Sequence, residues 1–195
     1  MPERVADRRA ELLEAAVRVF AEKGFHATRV GDIATEAGVA HGLLYHYFRS
    51  KEEVLDTVFR DTWSALVAET ARIESSDQPL REQLRLFARI YLGSWLQTPD
   101  LVRVLVREVA RGPGAGSRVA EIGELFDSLR RIIVAAQKRG EARADIDPTI
   151  AAWALYGAHE EILTGWVLGL LPGEPADVDR AVTTVVDVAH GGLAA

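Results

Sequence analysis

Apolar positions recur at helical spacing through almost the whole chain, and the polar residues between them mark where each run stops. Residues 4–23 place Leu12, Leu13, Ala16, Val19 and Phe20 on one face with charges opposite, and Gly24 ends the run. A second, shorter run carries Val30, Ile33, Ala34 and Ala37 and stops at Gly38, with Thr28 placed to cap its start through a side-chain oxygen. After a tight turn come Leu43, Leu44, Tyr45, Tyr47 and Phe48, a third helix over about residues 41–47. Ser50 followed three residues later by Glu53 is a capping box. It predicts a long fourth helix from Lys51 through Val54, Leu55, Val58, Phe59, Trp63, Leu66 and Val67 to near Ile73. Pro79, Pro99 and Pro148 each stand where a helix can begin, the last two after the capping residues Thr98 and Asp147. The remainder then parses as helices over about 79–96, 99–111, 117–139, 148–171 and 176–190. No strand pattern, internal repeat or low-complexity tract competes, so the expected class is all-α with about nine helices.

Thr28 to Lys51 is the stretch that points to a function. Two short helices meeting at a glycine-containing turn form the helix-turn-helix pattern, whose second helix can enter a DNA major groove. The expected division is therefore a DNA-binding domain over 1–52 and a larger helical domain over 53–195.

Charge and composition narrow the partners. The chain has 195 residues, no cysteine and a formal charge of −6. It has no thiolate chemistry and no disulfides, which fits a reducing cytoplasm. The charged N-terminus offers no export signal, and the longest apolar stretch, Ile162 to Leu171, is too short for a membrane span. Residues 1–52 hold eight Lys and Arg against eight Asp and Glu, leaving fifteen against twenty-one in the remainder. A neutral head on an acidic body argues against indiscriminate coating of nucleic acid while leaving local phosphate contacts open.

The string FAEKGFHATRVGDIATEAGVAHGLLYHYFRSKEEVL, within the first 55 positions, resembles the N-terminal domain of the TetR family of bacterial transcriptional regulators. It shares the phenylalanine and glycine after the first helix, the isoleucine-alanine pair, the Ala-Gly-Val turn, the Tyr-x-Tyr-Phe run and the lysine-glutamate opening of the fourth helix. The resemblance implies an all-helical homodimer, with a C-terminal ligand domain whose effector releases a repressor from a near-palindromic operator. Tyr45 and Tyr47 as hydroxyl donors, Lys51 as a point charge and Thr28 beside them suit phosphate contact. The competing reading makes the tyrosines packing residues and Lys51 a solvated surface charge. Base reading would fall to Ala40, His41, Gly42, Leu43 and His46, with Arg29 reaching in from the second helix. Ala40 replaces the family's usual serine or threonine cap, and His41 and Leu43 replace residues more often lysine and threonine, so the operator sequence is not legible.

In the larger domain, Trp63, Phe87, Tyr91, Trp95, Phe126, Trp153 and Tyr156 either form ordinary core or, with His159 and Glu160 among them, line a mainly apolar effector pocket. Arg103, Arg107 and Arg111 recur every four residues, as a solvated stripe or as a receiver for a ligand's anionic end. The stretch from Gly140 to Leu171 also resembles the acyl-CoA-responsive regulators of fatty-acid degradation within the same family. Leu155 and Ile162 on the eighth helix, with Val178, Val182, Val185 and Val186 on the ninth, are the expected dimer surface. The rivals are a ligand-independent architectural DNA-binding protein and a helical enzyme using His159 with Glu160. No cofactor or metal is expected, because the five histidines are scattered and no phosphate loop is present.

Overall fold

A computed structural model describes residues 2–109 and 119–195, with side chains for 8–108 and 122–195. The described residues form nine α-helices and no strand: α1 (Pro2–Lys23), α2 (Val30–Glu36), α3 (His41–Tyr47), α4 (Lys51–Glu74), α5 (Leu80–Gln97), α6 (Pro99–Val104), α7 (Val119–Lys138), α8 (Pro148–Val167) and α9 (Pro175–Leu193). The chain folds into two compact units, one of residues 1–62 with 100–116 and one of 63–99 with 117–195. The break therefore falls at Thr62 and Trp63, inside α4, and not at residue 52.

The first unit closes around Leu12, Ala16, Phe20, Phe25, Ile33, Leu44, Phe48 and Leu55. Each large apolar side chain buried there contributes roughly 1.5–3 kcal/mol. Val104 joins this core from α6, and the Glu108 carboxylate accepts from the Phe25 amide at 3.4 Å, which explains why residues 100–116 belong with the N-terminal helices. The α2–α3 turn is a Schellman closure. Gly38 takes φ of 65°, its amide donates to Thr35 and the Val39 amide donates to Ala34. Helix four starts at the expected capping residues with one change: Ser50 Oγ accepts from the Glu53 amide, but the Glu53 carboxylate accepts from the amide of Arg49 at 2.6 Å.

In the second unit α5 lies along α9, and α7 along α8. Asp147 caps α8 by accepting from the amides of Thr149 and Ile150, with Pro148 in the first turn. Glu74 at the end of α4 accepts from Arg131 at 2.6 Å and from Ser128 Oγ at 2.6 Å, and the Arg131 bond first, then Ser128, hold its carboxyl below the usual range.

Two helices end differently from the sequence expectation. Helix eight stops at Val167, four residues short of the expected end. Gly169 takes φ of 67°, the Leu170 amide donates back to Gly165 at 2.8 Å, and the remaining apolar residues turn away as loop. Helix six is α-helical only to Val104 and continues as a π-helical turn over Leu105–Val109. The end of the expected 99–111 helix and the start of the expected 117–139 helix lie outside the described residues.

Of the residues expected on the dimer surface, Leu155, Val178, Val182, Val185 and Val186 are buried within one chain and Ile162 is half-buried; α5 covers the apolar face of α9, and α7 packs along α8.

Candidate nucleic-acid interface and effector site

Leu44 at the centre of α3 is fully buried and Phe48 follows it into the core, which fixes the rotation of the helix. His41, Gly42, Tyr45 and His46 are then left exposed, and Leu43 and Tyr47 half-buried. Ala40 is the N-cap of α3 and supplies no side-chain bond. His41 meets the edge of Tyr45 at 5.6 Å between ring centroids. It also lies over α2, where a Cβ on Gly31 would stand 3.1 Å from the imidazole. Around these residues an open cavity of about 400 Å³ is lined by Thr28, Arg29, Gly31, His41, Tyr45, Arg49 and Lys51, among others.

The expected contact residues divide. Tyr45 is 51% exposed and Arg29 is exposed, whereas Tyr47 packs against the core. Thr28 is buried and does not cap α2. Its hydroxyl donates to Gly24 O at 2.8 Å, and the N-cap is Arg29, whose amide donates to Asp32 at 2.8 Å. That amide first, and then the Lys23 ammonium, hold the Asp32 carboxyl below the usual range. Lys51 is the larger correction. Its ammonium donates to the carbonyls of Phe25 at 2.8 Å, His26 at 3.1 Å and Thr28 at 2.9 Å, which uses all three protons on the α1–α2 loop. Arg49, which the sequence reading passed over, is exposed on the same cavity beside Tyr45. Its only sequence signal is a basic residue just before the capping Ser50.

The second unit brings most of the expected effector residues together. Trp153 is 56% exposed and stacks on Phe126 at 3.9 Å. Phe126 meets Tyr156 at 5.0 Å, Tyr156 meets Tyr91 at 5.5 Å and Trp63 at 6.2 Å, and Tyr91 and Phe87 both meet His159. Tyr91 and Tyr156 donate to the same Glu160 oxygen at 2.6 and 3.3 Å. Burial pushes the Tyr91 phenol well above its ordinary range and the His159 imidazole below its own. His159 and Glu160 do not bond each other here: the imidazole Nδ1 lies 2.6 Å from Leu155 O.

Three expected members stand apart. Trp95 pairs with Trp166 at 6.0 Å and donates to Gly173 O. Arg103 pairs with Asp100 at 2.5 Å, and Arg107 is exposed; both belong to the first unit. Arg111 lies outside the described residues, and the π turn interrupts the four-residue stripe. Among the described residues no group of three His, Cys, Asp or Glu could hold a metal, and no helix is long and apolar enough to cross a membrane.

Residues 12–58, the packed three-helix head and the start of α4, match the family described as bacterial regulatory proteins, tetR family. Over 190 residues the chain is 46% identical to the HTH-type transcriptional repressor KstR2 of Mycobacterium tuberculosis, covering 97% of this chain and 94% of that one. The chain belongs to the TetR family. It is a DNA-binding transcriptional regulator. Among solved structures, the fatty acid degradation regulator FadR from Bacillus halodurans superposes with a TM-score of 0.83 at 25% identity, covering 95% of each chain. FadR from Bacillus subtilis, solved in complex with stearoyl-CoA, superposes with a TM-score of 0.81 at 22% identity, covering 94% of this chain and 98% of that one. The latter likeness shows a shared fold.

Proposed function

We propose that this TetR-family chain is a homodimeric repressor. It reads a near-palindromic operator through α3 and leaves it when an apolar or amphipathic small molecule occupies the aromatic cluster of the second unit. The observation that carries the reading is the division of α3. Its buried Leu44 anchors the helix, while Arg29, His41, Tyr45 and Arg49 stand on one open surface around the cavity. Arg29, Arg49 and the Tyr45 hydroxyl supply the phosphate contacts. His41, Gly42, Leu43 and His46 face the bases, and Thr28, Tyr47 and Lys51 hold the frame.

FadR from Bacillus subtilis, with stearoyl-CoA, has this fold, which makes acyl-CoA thioesters the first effector class to test. The cluster from Trp153 inward to His159 is apolar with a few polar atoms, the usual constitution of a small-molecule site. Helix α4 contributes residues to both units, so a shift of its C-terminal half on ligand binding reaches Lys51 and the loop it holds. Dimerisation uses the outward face of α8, where Ile150, Ala154 and Ala158 are exposed, and Val188 of α9. The test is selection of bound DNA from a random pool, repeated with acyl-CoAs of graded chain length. Enrichment of an inverted repeat that is lost with one ligand class supports the reading.

A further inference from the structure

The polar atoms at the buried end of the aromatic cluster share one property: they have no proton left to give. His159 is 2% exposed. Its Nδ1 lies 2.6 Å from Leu155 O, and a carbonyl oxygen only accepts, so Nδ1 carries the proton and Nε2 is a bare lone pair. That lone pair is buried with no hydrogen-bond partner among the described residues. Phe87 and Tyr91 meet the imidazole edge-on at 5.1 and 5.8 Å and offer it no N–H or O–H. Tyr91 has spent its proton on Glu160 at 2.6 Å, and Tyr156 points its own at the same oxygen. Among the described residues no Lys or Arg pairs with Glu160.

A buried acceptor without a donor is costly, and a ligand that brings a donor to it recovers that cost on binding. We infer that the effector carries a hydrogen-bond donor, a hydroxyl or an amine on an apolar body, and delivers it to His159 Nε2. The inference rests on the effector-site reading above and sharpens it. A carboxylate, an ether or a thioester carbonyl at this end would set lone pair against lone pair, and an unsubstituted alkyl end would leave Nε2 unpaired, so among acyl-CoA thioesters those that fit carry a hydroxyl or an amine on the acyl chain. The ligand's apolar part follows the ring series from Tyr156 through Phe126 to the exposed Trp153.

All four tryptophans, Trp63, Trp95, Trp153 and Trp166, lie in this unit, so intrinsic fluorescence reports on it. The test titrates the full-length protein with 1-decanol, decylamine, decanoate and methyl nonyl ether, and repeats the titration with His159→Phe. The alcohol or the amine is expected to bind about tenfold or more tightly than the ether and the carboxylate, and the preference to vanish in the variant. Tighter amine than alcohol assigns the donor as an ammonium, and the reverse assigns a hydroxyl. A second measurement needs neither variant nor ligand: nitrogen-15 imidazole shifts of the free protein should show His159 protonated at Nδ1 alone. Ether or carboxylate binding as tightly as the alcohol, with operator release intact, leaves the effector site standing and overturns the donor inference, as does a proton found on Nε2. No tryptophan response to any probe, in protein that still dimerises and binds its operator, overturns the effector-site reading and the inference with it.

Discussion

Lys51 holds its ammonium nitrogen 2.8 Å from the carbonyl oxygen of Phe25 and 4.7 Å from the centre of the same residue's ring. With the carbonyls of His26 and Thr28 also satisfied, the first residue of α4 closes the loop that positions α2. Lys51→Met should therefore cost stability, on the order of 1–3 kcal/mol for three carbonyls left without their donor, and weaken operator binding in parallel. The salt dependence of binding should change little. Denaturant melts and anisotropy titrations at graded salt check both halves; a lost phosphate contact with unchanged stability would return Lys51 to the DNA.

Arg49 and Arg29 are expected to behave in the opposite way. Each is exposed on the cavity beside Tyr45, so replacement by alanine should weaken binding to all sequences about equally and lower the salt slope by about 1 per residue. Melting temperature should be nearly unmoved.

Gly31 separates helix stability from DNA reading. Alanine there favours the helix by about 1 kcal/mol, but its Cβ would stand 3.1 Å from the His41 imidazole and displace it. Gly31→Ala should hold or raise the melting temperature while operator affinity falls, measured on the same preparation.

Acidification should destabilise the protein through His159. Burial lowers its folded pKa below the ordinary 6.5, so the unfolded chain binds the extra proton first. The stability contribution is present above the unfolded value and is lost as pH falls from about 6.5 toward the depressed folded value. Tyr91 of α5 is the titratable group against its ring, and it supplies no proton to Nε2. The difference in stability between wild type and His159→Gln across that window isolates the effect; parallel pH curves would refute it.

Ala158 and Val186 should part company in the same way. Val186→Ala opens the α5–α9 core and should cost about 2 kcal/mol without changing the oligomer. Ala158→Arg, on the exposed face of α8, should leave the fold intact and convert dimer to monomer by light scattering at micromolar concentration.

What the sequence made legible were features carried by neighbours in the chain. Ser50 with Glu53, Asp147 before Pro148, and Gly38 after the α2 run each fix a boundary through bonds spanning five residues or fewer. The valines of α9 show where such reading stops. Their spacing says that one face is buried, but α5, which buries it, lies about a hundred residues away in the chain, so a monomer core read as a dimer surface. Lys51 was misread for the same reason, since its three acceptors lie 23 to 26 residues upstream. Trp95 and Tyr91 share a helix with the same aromatic spacing, yet only Tyr91 faces Glu160; Trp95 turns to the Gly173 loop. Gly169 was available as a local signal and was outweighed by the apolar run around it.

The central claim is tested most directly by selecting DNA from a random pool with the full-length protein at physiological salt. Enrichment of one inverted repeat, with half-sites spaced by one helical turn or a multiple of it, is the predicted result. Recovery of unrelated sequences, or of a single unpaired half-site, would contradict the account of α3 as the reading element of a symmetric dimer.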